Sequence, residues 1–306
     1  MLQSAYLTLL QALLPGFRGI RPGPELIMLE NLPVRSLNLD GITVEGYSRA
    51  GVQTYWRLPE LKLGFDLGAH PWSFMTTANW FVTHVHIDHM AALPVYVARR
   101  RMMKMEPPTI HVPAYALEDL RRILMLFQKL DRCRMTCNLV PMEPGQEVQL
   151  SREHVVTAHR MEHTVPAMGF VVWDRRMKLK EEFAGLPGNQ IRDLKLSGIE
   201  ITREVRSPLV AYTGDTSPGG LDNNPVFFGA KILITEMSFF RQNHKRSKVH
   251  RFGHMHLDDF VERADSFQNK YILCGHASTR YTDEEIQRIF QKKITPSLAE
   301  KIKLWL

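Results

Sequence analysis

The sequence predicts an α/β (α+β) protein built as a four-layer αββα sandwich. Extended runs follow one another without helices from Gly41 to Gly68, strands and helices alternate further on, and two strand-rich halves each carry their own helices. A single doubly wound sheet would need a helix between nearly every pair of strands. The 306 residues, 44% apolar and 23% charged, suffice for a sizeable core and exclude extensive disorder.

The first 40 residues read as an N-terminal extension docked on the core, with residues 41–306 as one domain. The apolar stretch from Ala5 to Leu14, closed by Pro15 and Gly16, predicts a helix too short to span a bilayer. The first charged residue is Arg18, so the basic start of a secretory signal is missing. "GITVEGYS", "VQTYWRL" and "LKLGFDLG" alternate with period two between turn residues and predict a β-meander. Trp80-Phe81-Val82 predicts a buried strand running into "THVHIDHM". A helix through Arg99 to Met103, the strand "TIHVPA" and an amphipathic helix from Leu117 to about Leu130 follow. Leu139 to Asp174 reads as strands, including "HVVTAH" and "GFVVW", before a polar, Gly- and Pro-containing excursion at about 175–208. The last third gives "PLVAYTGDT", "KILITEMSF", a helix after His256, "YILCGHAS", and a helix from Asp283 to about Lys292. The final "KKITPSLAEKIKLWL" has apolar residues at helical spacing, suited to packing on the domain or on a partner.

The excess of 39 Lys and Arg over 32 Asp and Glu gives a net charge of +7, which favours anionic partners only mildly. Two clusters concentrate it: Arg99-Arg100-Arg101 with Lys104, and "RQNHKRSKVHR" from Arg241 to Arg251. Each reads equally as a solvated face or as a phosphate-binding surface. Three cysteines are too few for a disulfide framework and suit a reducing, cytoplasmic location.

The chemistry concentrates in Thr83-His84-Val85-His86-Ile87-Asp88-His89, where four potential metal ligands fill six positions directly after an apolar strand. Continued as a strand through His86, this run points His84 and His86 to one side. A turn near Ile87 then swings Asp88 and His89 towards a second metal position. Imidazole and carboxylate together suit Zn²⁺, with Mn²⁺ and Fe²⁺ open.

This run is the HxHxDH signature of the metallo-β-lactamase superfamily, and "MEHTVPAMGF", "AYTGDTSP" and "LCGHASTRY" resemble its third, fourth and fifth motifs. The resemblance runs roughly from Gly41 to Gln291 and implies the metallo-β-lactamase fold with two divalent metal ions. On that analogy His84, His86 and His163 hold one ion, Asp88, His89 and His276 hold the other, and Asp215 bridges them. The H-x-x-P-x-x-G-[FY] form of the third motif and "GHASTRY" resemble ribonuclease Z, the tRNA 3′-end processing endonuclease. "ITEMSFF" resembles its H-E-A-T-F segment and places Glu236 on the glutamate, while "FGHMHLDDF" resembles its G-H-S-T helix start and places His254 on the histidine.

The resemblance implies a binuclear metal-dependent hydrolase, foremost a phosphodiesterase that uses a metal-bridging hydroxide for in-line attack. Asp88 would orient the nucleophile, and His254 paired with Glu236 would protonate the leaving oxygen. Ser278 and Arg280 would bind a phosphate oxygen, with His256 extending the pocket. Taken alone, Glu236 also reads as a solvated strand end, and His254 or His256 as a helix cap. The implied partners are a phosphate-diester substrate, RNA or small molecule, and a second copy of the chain in a homodimer.

The chain departs from ribonuclease Z in two places. "EGYSRAGVQTYWRLPELKLGFDLG" replaces the G-T-[SG]-x-x-x-P-x-x-x-R-N segment, and only "FAGLPGNQIRDLKLSG" stands where ribonuclease Z projects a long tRNA-gripping arm. Two other functions stay open: a promiscuous metallohydrolase of organophosphates, lactones or esters, and a non-catalytic metal-containing RNA-binding or regulatory protein. An excursion lying over the site as a lid favours small substrates, and a projecting arm favours RNA.

Overall fold

The computed structural model describes residues 32–306, so the helix expected over Ala5–Leu14 and its docking lie outside the described residues. The first sheet opens as an antiparallel meander of β1 (Arg35–Leu39), β2 (Ile42–Ala50), β3 (Gln53–Leu58) and β4 (Leu63–Phe65). It continues through the parallel strands β5 (Asn79–Phe81), β6 (Thr109–Pro113) and β7 (Asn138–Met142). Pairing begins at Arg35, inside the stretch read as an extension.

The second sheet starts with antiparallel β8 (Glu147–Gln149), β9 (His154–Met161), β10 (Ala167–Leu179) and β11 (Thr202–Tyr212). Parallel strands β12 (Ile232–Glu236) and β13 (Tyr271–Gly275) follow. A short β14 (Ala277–Ser278) crosses back to pair with β2, and β15 (Ile302–Leu304) completes the second sheet beside β13.

Alternation along the strands creates the layers. Phe81, Phe170, Val172 and Ile234 fill the space between the sheets, while their neighbours Trp80, Val171 and Leu233 face outward. Trp80 packs beneath helices Leu93–Met102 and Leu117–Asp131, contributing to a core with Tyr96, Val97 and Leu120. Val171 and Leu233 meet Leu257, Phe260, Ile286 and Phe290 of helices Leu257–Glu262 and Asp283–Lys293. The result is the expected αββα order. Among the described residues no helix is long and apolar enough to cross a membrane.

Three expectations change. The C-terminal segment divides into helix Pro296–Lys301 and strand β15. Ile302 faces the helices and Trp305 the core between the sheets, an alternation that a strand supplies and a helix does not. The excursion is an antiparallel ribbon: β10 and β11 stay paired out to Leu179↔Thr202, and helix Gly188–Leu196 at the tip buries none of its residues. The arginine cluster near residue 100 is largely structural. Arg100 is 4% exposed and donates to the carbonyls of Met75 (2.6 Å) and Glu106 (2.7 and 3.0 Å), and Arg99 donates to the carbonyl of His70.

Removing the Arg100 guanidinium leaves buried carbonyls without donors. Arg100→Ala should therefore cost about 3 kcal/mol of stability, against roughly 0.5 kcal/mol or less for the exposed Arg101→Ala. Urea denaturation of the two variants checks this, and equal midpoints would contradict the structural assignment.

Candidate metal centre

The loops that carry the chemistry all leave the same edge of the sandwich. They follow β4, β5, β9, β11, β12 and β13, five of which belong to parallel ladders whose carboxyl ends gather ligands in open α/β sheets. The HxHxDH run does not continue β5. Strand pairing stops at Phe81, because Asp66 at the end of β4 accepts the backbone N–H of Thr83 (2.7 Å) and its hydroxyl (3.0 Å), drawing the chain out of the ladder. His86 still has extended backbone (φ −62°, ψ 149°), and the single turn Ile87–Met90 then presents Asp88 and His89. Gly68 makes this turn possible: a Cβ there would stand 1.7 Å from the Asp88 carbonyl oxygen.

Six of the seven expected ligands form two facing groups, with the seventh between them. The His84 Nε2 and His163 Nε2 atoms each lie 3.1 Å from His86 Nδ1. On the other side His276 Nε2 lies 3.4 Å from His89 Nε2 and 3.6 Å from Asp88 Oδ2. Asp215, buried, lies between: its Oδ2 is 3.9 Å from His84 Nε2, 4.0 Å from His163 Nε2 and 3.2 Å from His276 Nε2, and its Oδ1 is 3.4 Å from His89 Nε2.

The backs of the rings decide what the fronts can do. His84 Nδ1 meets the Thr83 hydroxyl (3.0 Å), His89 Nδ1 meets Asp66 (2.8 Å), His163 Nδ1 donates to the Gly253 carbonyl (2.9 Å), and His276 Nδ1 meets the Ser238 hydroxyl (3.1 Å). With one nitrogen thus engaged, each ring turns its other lone pair towards the centre. Lone pairs this close repel one another unless a cation lies between them, and such back-side bonds are the usual partners of metal-ligating histidines. The donor set therefore fits divalent ions that accept nitrogen and oxygen. Burial pushes His84 well below its ordinary value, favouring the neutral, ligating form. Burial alone would raise the Asp88 carboxyl, but the imidazoles of His276 and His89 hold it at about 2.

Glu236, buried at the end of β12, accepts from the backbone N–H of Thr216 (2.7 Å) and Met255 (3.2 Å), from the Ser238 hydroxyl and from His254 Nδ1 (3.1 Å). Burial lowers the His254 pKa, but the Glu236 carboxylate more than offsets this and raises it to about 9. His254 Nε2 thus stays available beside the ligands, its ring 5.1 Å from that of His163 and 5.7 Å from that of His276. Ser278 is buried and accepts from the Arg280 N–H, while the exposed Arg280 lines the cavity next to the centre. His256 lies elsewhere. It is fully buried, its Nδ1 accepts from Asp258 N–H, and its Nε2 donates to the Arg241 carbonyl, so it caps helix Leu257–Glu262 with no ring nitrogen left for substrate.

Sequence reasoning passed over Asp66, Ser238 and Tyr212, whose hydroxyl donates to Asp66 (2.6 Å). The one available signal was the Asp-x-Gly of "GFDLG", which breaks an apolar strand at the edge where the ligands gather.

The family model described as Beta-lactamase superfamily domain matches residues 79–277. Among curated proteins, tRNase Z TRZ1 of Arabidopsis thaliana is 36% identical over 255 residues, covering 83% of this chain and 91% of its own. Nuclear ribonuclease Z of Triticum aestivum is 40% identical over 169 residues, 55% of this chain and 96% of its own. Among solved structures, the metallo-β-lactamase fold protein YhfI of Bacillus subtilis aligns with a TM-score of 0.57 at 14% identity, over 84% of this chain and 93% of its own. Human tRNase Z, short form, aligns with a TM-score of 0.50 at 18% identity, over 86% and 89%. These two likenesses concern the fold.

The Asp66 carboxylate should govern metal affinity without touching metal. Asp66→Asn keeps the shape but weakens the bond to His89, and zinc affinity should fall roughly 10- to 100-fold in competition with a chelating dye. Unchanged affinity would contradict this role.

Proposed function

The chain belongs to the β-lactamase superfamily and, within it, to the ribonuclease Z group, and from that premise we propose that it cleaves a phosphodiester at the 3′ side of precursor tRNA through a binuclear zinc site. The observation that carries this reading is the His254–Glu236 pair standing beside seven convergent ligands. A metal-dependent hydrolase of this family needs both a metal cradle and a proton source, and the convergent ligands and the His254–Glu236 pair have the chemistry for each.

His84, His86 and His163 would hold one ion and Asp88, His89 and His276 the other, with Asp215 shared. When bound, the ions supply Lewis acidity and a water that ionises near pH ~7. The protein's own groups do the rest. Asp88 is fixed by the Gly51 N–H (2.8 Å) and orients the attacking water. Arg280 binds a non-bridging phosphate oxygen beside Ser278. His254 gives its proton from Nε2 to the leaving oxygen, and Glu236 holds the ring and favours its charged form. Two nearby dications would draw the His254 pKa down from about 9, towards the range where a general acid is most effective.

The ribbon of β10 and β11 favours RNA over a small ester. None of its residues beyond Asp174 lines the cavity at the centre, so it does not act as a lid, and its exposed helical tip suits a long substrate held away from the cut. The intact ligand set speaks against a non-catalytic role. Three free cysteines support a reducing compartment such as the cytoplasm.

Two measurements test this reading. His254→Ala should lower kcat on precursor tRNA by about 10² to 10⁴-fold while metal content stays the same; wild-type turnover in this variant would remove His254 from the mechanism. Replacing residues 181–200 by a tight turn should raise KM for precursor tRNA roughly tenfold or more, through lost phosphate contacts, with turnover of bis(p-nitrophenyl) phosphate preserved. Unchanged tRNA cleavage would favour the small-diester reading.

A further inference from the structure

Beside the metal centre opens a cavity of about 710 Å³. It is lined by His86, His163 and His254 together with Phe239, Lys248 and Phe252. The basic run from Arg241 to Arg251 borders this space, and its charges divide into two sets. Arg241 is held by Glu285 (2.6 Å), Arg246 by Asp259 and Glu262, and Arg251 lies over the Phe252 ring at 5.5 Å. Lys245 and Lys248 are exposed, line the cavity, and have no ion-pair partner among the described residues.

Phe252 is 48% exposed, an unusual setting for a phenyl ring fixed so close to buried chemistry. Its N–H bonds to the carbonyls of Val249 (3.1 Å) and Lys248 (3.2 Å). The following Gly253 has φ +68°, and a Cβ there would come within 2.5 Å of His163 Cα and Nδ1. Only glycine lets the chain close against this ligand. The same turn carries His254 two positions later, so the Phe252 ring is tied to both a metal ligand and the proposed acid. Phe239 stands deeper, its ring 6.2 Å from that of His254.

We propose that this cavity seats the nucleoside carrying the leaving oxygen, its base stacked on Phe252 with Phe239 as the inner wall, while Lys245 and Lys248 hold the next phosphate along the strand. The inference rests on the RNA-cleaving reading above. A fixed aromatic face beside unpaired ammonium groups is the arrangement that binds single-stranded nucleic acid with little regard to sequence. His254 gives its proton to the leaving oxygen, so a base resting on the ring beside His254 belongs to the leaving-group side. Arg251 lies over the Phe252 ring, which is nonetheless about half exposed.

A substrate cycle tests it with the full-length, zinc-loaded protein. Precursor RNA is made with a normal or an abasic nucleotide on either side of the scissile phosphate, and cleaved by wild type, Phe252→Leu and Phe252→Tyr. Removing the leaving-side base, or the ring, should lower kcat/KM roughly 5- to 100-fold. Removing both should cost little more than either alone, and Phe252→Tyr should restore the base-dependent part. Lys248→Gln should flatten the salt dependence of KM by about one phosphate contact.

A purely structural role for Phe252 would slow normal and abasic substrates alike, and that outcome overturns the inference. So does wild-type cleavage indifferent to the base, or sensitive only to the base on the opposite flank. Failure of the wild type to cleave any of the RNAs would instead defeat the functional reading, and the inference with it.

Discussion

A single buried carboxylate, Asp66, holds the catalytic edge together. It is fully excluded from solvent and accepts from the Thr83 backbone and hydroxyl, His89 Nδ1 and the Tyr212 hydroxyl. Asp66 and Thr83 follow strands of the first sheet, whereas Tyr212 ends a strand of the second. One side chain thus clamps the two sheets where the ligand loops emerge, ends β5 at Phe81, two residues short of the HxHxDH signature, and aims His89. Leaving such a group without its donors costs several kcal/mol, so the edge forms as a unit or not at all. Asp66 itself has a left-handed backbone (φ 56°), as does the proposed ligand His276 (φ 59°), a conformation that persists only where surrounding bonds over-determine it.

The same principle runs through the rest of the centre: a ligand's useful nitrogen is set by what its other nitrogen touches. Ser238 is the clearest case, since its hydroxyl meets both His276 Nδ1 and Glu236. His276 and the carboxylate that holds His254 are thereby linked through a single hydroxyl. The proposed metal cradle and the proposed proton source therefore share parts, an arrangement that keeps their separation fixed.

Much of this was legible in the sequence, for a physical reason. The seven expected ligands and Glu236 lie at or just after strand ends, and alternation of strands and helices is enough to bring such ends to one edge; His254, between two helices, is recognised by the motif around it. What was not legible depends on contacts distant along the chain. Asp66 reads as one more residue of a strand until Tyr212, 146 positions away, is seen to donate to it. His256 resembles a site residue by spacing, yet its ring is spent on Asp258 and Arg241. The arginines near residue 100 look like a phosphate surface, but Arg100 points inward to backbone carbonyls. Likewise the basic run before His254 becomes informative only once its arginines are paired off and two lysines remain.

This scaffold is proposed to preorganise two adjoining metal positions that share Asp215. Crystals of the zinc-loaded protein, measured at the zinc absorption edge, test it most directly. Two anomalous peaks roughly 3.5–4 Å apart are expected, one facing His84, His86 and His163, the other facing Asp88, His89 and His276, with Asp215 between them. A single peak, or a second ion drawn to the neighbouring group of Glu236, His254 and His276, would contradict it.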